Sequence, residues 1–188
     1  MTLNNSNIHF ILLAAGNSTR FSSKNNKLLS SFKNKTILEH NLEMIEKLNF
    51  SKITLVVNDL SLPKTILNKK IEIIKGGKYR TISVKNALLK SKYKAKNVII
   101  HDCARLVCSH KLINKIANLI TKGNYDCIVP YSNCSDTILD KDKYLDRKKI
   151  KLIKTPQAFK KSKLLKLHKL NKNPKLTDDS QLFTEKFK

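Results

Sequence analysis

Ile8-His9-Phe10-Ile11-Leu12-Leu13-Ala14-Ala15-Gly16-Asn17-Ser18 is the stretch that decides the fold. The nearly unbroken apolar run Ile8–Ala14 reads as a short buried strand, and Gly-Asn-Ser turns it into a loop. Working outward, Thr36–Leu48 places Ile37, Leu38, Leu42, Ile45 and Leu48 on one helical face. Thr36 is a fitting cap, with Glu39 three residues on to complete a capping box. Ile53–Val57 reads as a strand, and Leu62–Leu67 as a short helix or turn opened by Pro63. Ile71–Ile74 is a strand closed by Gly76-Gly77, followed by a helix over Arg80–Leu89. Asn97–His101, Lys111–Ile120 and Asp126–Tyr131 continue the alternation as strand, helix and strand.

This order, with strands apolar on both faces, predicts a parallel sheet covered by helices on both sides. We therefore expect one Rossmann-like α/β domain over residues 1–188. Ser132–Lys149 is polar, carries no helical stripe, and is expected to project as an arm. Lys151–Lys154 returns as a strand ended by Thr155-Pro156-Gln157, and Lys160–Leu170 is a basic helix. Thr177-Asp178-Asp179-Ser180 is expected to cap a final helix running out at Lys188.

Composition narrows the function. The longest apolar stretch, Phe10–Ala15, is far too short to cross a bilayer, and few charges precede it as a signal peptide would require. The four cysteines, Cys103, Cys108, Cys127 and Cys134, form no C-x-x-C pair and read as reduced thiols of a cytosolic protein. The formal charge of +24 invites a nucleic-acid reading. Yet only four of the 38 basic residues are Arg, aromatics are 6%, and Trp is absent, so no stacking platform is evident. The lysines are spread along the chain rather than gathered in a tail. In so lysine-rich a chain the few Arg mark places that need a planar, bidentate cation. The four Gly similarly mark places where the backbone turns or comes close to a ligand.

Three of the four Gly and three of the four Arg fall in three strand-end motifs. Ala14-Ala15-Gly16, with Arg20 and Lys27 following, resembles a loop whose backbone N–H groups wrap phosphate. The alternative is an ordinary strand–helix turn with incidental cations. Gly76-Gly77-Lys78-Tyr79-Arg80-Thr81-Ile82-Ser83 leaves room for a flat group beside a helix N-terminus; a plain turn and cap explain it equally. His101-Asp102-Cys103-Ala104-Arg105 places a hard oxygen ligand suited to Mg²⁺ at a strand end. A loop-fastening Asp–Arg pair is the alternative, and His101 receives no catalytic role.

With Asp136-Thr137, Asp146-Arg147, Thr155-Pro156-Gln157 and Thr177-Asp178-Asp179, these motifs form an ordered set along the chain. The set resembles the 2-C-methyl-D-erythritol 4-phosphate cytidylyltransferases over nearly the whole chain. The resemblance implies a nucleotidyltransferase sheet and CMP transfer from CTP to a sugar-alcohol phosphate, with Mg²⁺ assisting. Ala14, Ala15, Gly16, Gly77, Arg80 and Ser83 would bind CTP, and Arg20, Lys27 and Arg147 would act in catalysis. Asp102, Arg105, Thr137, Thr155 and Thr177 would bind the sugar phosphate, Asp102 also touching the metal. The arm would make a homodimer in which Arg147 reaches the partner's pocket. Three departures stand out: Asn26-Lys27-Leu28 replaces Pro-Lys-Gln, Ser18 replaces a glycine, and a further lysine-bearing strand is expected beyond Lys188. The C-terminal end is thus expected to be incomplete. The alternatives are a ribitol 5-phosphate cytidylyltransferase, a shortened inactive homologue, or a basic nucleic-acid-binding protein.

Overall fold

The computed structural model describes residues 7–16, 30–58, 66, 71–106 and 108–184. Strand β1 (Ile8–Ala14) is buried along its whole length. It pairs in parallel with β4 (Ile53–Val57) on one side and β6 (Asn97–Asp102) on the other. Strand β5 (Glu72–Lys75) extends the sheet beyond β4, also in parallel. On the far side β12 (Gln157–Lys160) runs antiparallel to β6, and β7 (Cys127–Ile128) antiparallel to β12. The order is β5-β4-β1-β6-β12-β7. Central strands with both faces covered are apolar without alternation, which is why Ile8–Ala14 was so legible.

Helices cover both faces. Ile8, Phe10 and Leu12 of β1 pack with helices α1 (Ile37–Lys47) and α3 (His110–Lys122) through Leu38, Leu42, Ile113 and Ile116. Ile11 and Leu13, pointing the other way, pack with α2 (Arg80–Lys90), α4 (Lys161–Leu170) and α5 (Gln181–Thr184) through Val84, Leu88, Leu164 and Phe183. The expected capping box is formed: Thr36 Oγ1 accepts from Glu39 N, and Thr36 N donates to the Glu39 carboxylate. Ahead of it, β2 (Ser31–Phe32) and β3 (Lys35–Thr36) form a hairpin with Lys33 and Asn34 at positive φ, the backbone such two-residue turns demand.

Two expectations need correction. The sheet is mixed, because β12 enters it antiparallel. Its sequence, Gln-Ala-Phe-Lys, is too short for a period, and the turn-like Thr-Pro-Gln before it signals an end rather than a beginning. The strand at Lys151–Ile153 (β11) does exist, but it pairs with β8 (Tyr131–Asn133) outside the main sheet. Residues 131–153 thus pair among themselves outside the main sheet, with a hairpin of β9 (Ile138–Asp140) and β10 (Lys143–Leu145) between β8 and β11. The last helix begins at Gln181, directly after Thr177–Ser180 as expected, and the described residues follow it to Thr184. The expected element at Leu62–Leu67 lies outside the described residues except for Ile66, which is buried against the sheet.

Candidate active site

The chain passes from β1 through α1 to β4 on one side, then from β5 through α2 back across to β6 on the other. The direction of winding reverses between β1 and β6. In such sheets the C-terminal ends of the strands leave a crevice at that point. Here it receives Ala14, Ala15 and Gly16 from β1 and Asp102 from β6. Leu13 and Asp102 are register partners, and Cys103 N donates to Leu13 O at 2.9 Å.

The two glycines after β5 serve close packing. A Cβ on Gly76 would lie 2.6 Å from Ala15 Cβ and 2.9 Å from Ser83 Oγ, so its absence lets the β1 loop touch the turn into α2. Gly77 has no more room, since a Cβ there would meet Ile82 Cγ2 at 2.3 Å. Gly77 N donates to Ser83 Oγ at 3.0 Å, which binds the turn to the first coil of α2. Gly16 is exposed, with nothing near the position of a Cβ.

Charge gathers at Asp102. Arg80 Nε, from the start of α2, donates to Asp102 Oδ1 at 3.0 Å, and Arg105 Nε lies 3.5 Å from Oδ2. Arg80 Nη1 donates to Asp179 Oδ2, and Asp179 Oδ1 is 3.0 Å from His168 Nε2 on α4. Burial opposes the charge on Arg80, but the Asp179 and Asp102 carboxylates outweigh it and push the guanidinium pKa above its ordinary value. Burial likewise works to raise the Asp179 carboxyl, and Arg80 followed by His168 holds it below the ordinary range. Thr155, at the cis bond to Pro156, fastens the other side. Its hydroxyl lies 3.0 Å from His101 Nδ1 and accepts from Asp102 N at 3.2 Å. Burial lowers the His101 pKa to about 4, so the ring is neutral at pH 7.

The structure thus brings together Ala14, Ala15, Gly16, Gly77, Arg80, Ser83, Asp102, Arg105 and Thr155. Thr177 is exposed on a loop tied to α2 on both sides of it, by Thr81 Oγ1 donating to Leu176 O at 2.7 Å and by Arg80 on Asp179. Arg80, expected on CTP, has Nε and Nη1 committed to carboxylates, and its Nη2 is buried. Thr137 and Arg147 are exposed in the arm, where Arg147 Nη1 donates to Ser135 O at 2.8 Å. Arg20 and Lys27 lie outside the described residues. Among the described residues no three His, Cys, Asp or Glu side chains gather to hold a metal. Both oxygens of Asp102 face guanidinium groups, Oδ1 that of Arg80 and Oδ2 that of Arg105, and its side chain stays 26% exposed. Asp179, His168 and Gln157 were missed as partners. Asp178 and Asp179 look like cap residues in sequence, and nothing local says that Asp179 faces Arg80 or that Gln157 Nε2 donates to Asp178 at 2.7 Å.

Fold and strand-end loops together define an α/β domain of the nucleotidyltransferase type. More narrowly, the chain belongs to the 2-C-methyl-D-erythritol 4-phosphate cytidylyltransferase family, whose model matches residues 8–186. A bifunctional enzyme IspD/IspF of Pelagibacter ubique is 43% identical over 182 residues, covering 93% of this chain and 48% of that protein. A 2-C-methyl-D-erythritol 4-phosphate cytidylyltransferase of Prochlorococcus marinus is 30% identical, covering 94% of this chain and 84% of that one. The bifunctional IspDF of Campylobacter jejuni superposes with a TM-score of 0.83 at 32% identity, over 96% of this chain and 47% of that one. The 4-diphosphocytidyl-2C-methyl-D-erythritol synthase of Anaerococcus prevotii gives 0.80 at 26% identity, over 97% and 84%. The chain spans about half the length of the bifunctional relatives it matches.

Proposed function

We propose that the protein transfers CMP from CTP to 2-C-methyl-D-erythritol 4-phosphate and releases pyrophosphate, a step of non-mevalonate isoprenoid precursor synthesis. The observation that carries this reading is Asp102 at the winding reversal, held between Arg80 and Arg105 beside the Ala14-Ala15-Gly16 loop. A phosphate oxygen of the sugar attacks the α-phosphorus in line, one P–O bond forms, and the bond to the β-phosphate oxygen breaks. No covalent enzyme intermediate is needed, so the work is positioning and charge stabilisation. Ala14, Ala15, Gly16, Gly77 and Ser83 receive the nucleotide. Arg20 and Lys27 counter charge developing on the triphosphate. Arg105, Thr155 and Thr177 line the sugar-phosphate side. Arg80 acts through Asp102. Asp102 would hold a divalent cation, Mg²⁺ by its oxygen preference, which neutralises phosphate charge when bound.

The arm supports a homodimer as the working form. Tyr131, Leu139, Tyr144, Leu152 and Ile153 are exposed on it, apolar surface that a twofold partner would cover. Thr137 and Arg147 then complete the partner's pocket. Pyrophosphate release is to be assayed with CTP, Mg²⁺ and either methylerythritol 4-phosphate or ribitol 5-phosphate, and the first acceptor is expected to be strongly preferred. Lys27→Ala should lower turnover by roughly 10²–10³-fold. Lys166→Ala, on the exposed face of α4, should leave it unchanged. Small, equal losses in both variants, or preference for ribitol 5-phosphate, would overturn this reading.

A further inference from the structure

Asp179 is almost wholly enclosed, with 1% of its side chain exposed, and His168 beside it is enclosed completely. A buried carboxylate is costly unless it is paired, and a packed apolar pair in its place is often as stable. Stability alone therefore does not explain a buried His–Asp–Arg series that ends at the crevice. Geometry does. The guanidinium is a rigid plane, so fixing one end sets the direction of the other. Asp179 grips Nη1, and the same plane presents Nε to Asp102 Oδ1 at 3.0 Å. Asp179 Oδ1 also lies 3.0 Å from His168 Nε2, and the loop that carries Asp179 is anchored through Leu176 to Thr81.

We propose that Asp179 and His168 are positioning residues, which fix the guanidinium of Arg80 and through it the carboxylate of Asp102 at the mouth of the crevice. The inference rests on the function proposed above for its catalytic consequence, but the coupling itself can be read without turnover. Only four arginines are present, so modification by phenylglyoxal can be followed at each one by peptide mass spectrometry. Arg80 in the wild type should react slowly. Asp179→Asn should raise its rate by about tenfold, in line with the loss of one charged hydrogen bond, and leave the arm's Arg147 unchanged.

In parallel, kcat/KM for the sugar phosphate should fall about tenfold or more in Asp179→Asn, measured well below the Tm of each variant. His168→Leu should behave alike. His168→Gln, which keeps a donor near the position of Nε2, should recover most of the loss. A packing role predicts the reverse, with Leu serving as well as Gln. Unchanged labelling of Arg80 in Asp179→Asn, or equal behaviour of His168→Leu and His168→Gln, overturns the proposal. Should Asp179→Asn not fold, the His168 pair decides alone. A wild type that does not turn over would refute the proposed function, and the labelling would still decide the coupling.

Discussion

The two edges of the central sheet carry nearly the same chemistry and use it differently. At the N-terminal edge of the parallel strands, His9 Nε2 lies 2.7 Å from Thr54 Oγ1, which donates to Glu72 Oε2 at 2.7 Å. Lys92 N donates to the other Glu72 oxygen at 2.9 Å, and Lys161 Nζ donates to Tyr93 O, whose ring lies 5.4 Å from that of His9. At the C-terminal edge His101, Thr155, Asp102 and Arg105 supply the same kinds of group, an imidazole, a hydroxyl, a carboxylate and a cation. In the first group His9 and Thr54 are buried, and the half-buried Glu72 has both oxygens taken up, by Thr54 and by Lys92 N. The second stays half open, with the side chains of Asp102 and Arg105 26% and 42% exposed. Residue type therefore does not separate a structural cluster from a site. The polarity of the strands does, since it decides which loops meet and whether they leave a crevice.

The sharpest way to break the comparison is to remove charge at each edge in turn. Asp102→Asn should lower pyrophosphate release by about 100-fold or more with the far-UV circular dichroism unchanged. Full activity would mean that the two edges are alike after all. Titration should sharpen it next. Burial, followed by the charge of Lys161, lowers the His9 pKa to about 3, and burial lowers His101 to about 4. Both rings stay neutral in the fold while the unfolded chain takes up protons below its ordinary 6.5. Stability is therefore fullest above about pH 6.5 and declines as the pH falls toward 4, by roughly 2 kcal/mol per histidine between pH 7 and 5. Denaturant midpoints across that range should show the decline, and His9→Gln should remove about half of it. An unchanged slope in His9→Gln would place the titration elsewhere. The smallest effect is expected from Glu72→Gln, which should cost about 1 kcal/mol in denaturant unfolding and leave kcat/KM alone. A loss of activity there would couple the N-terminal edge to the C-terminal one.

Much of the sheet was legible because its strands obey one rule. Ile8–Ala14, Ile53–Val57 and Asn97–His101 are buried on both faces, so their apolar runs mark them. Strand β12 escaped because four residues with Gln157 and Lys160 at their ends carry no period. Gln157 is nevertheless buried, its amide donating to Lys154 O and Asp178. Ser132–Lys149 stands out in sequence by what it lacks, an apolar stripe, and β11 pairs with β8 rather than with the sheet.

By itself the sequence determined the alternation of strands and helices, the capping box at Thr36, and the strand-end motifs that carry Gly16, Gly77, Arg80, Asp102 and Arg105. Each of these is a local property, set by periodicity or by a few adjacent residues. Only the tertiary structure decided that Arg80 spans Asp102 and Asp179, that His168 stands behind them, and that Thr155 fastens His101 to Asp102. The contacts of Arg80 and Thr155 among these join residues 22 to 99 positions apart. No local pattern encodes such a pairing, because it exists only once the crossing from β5 to β6 has brought the strand ends together.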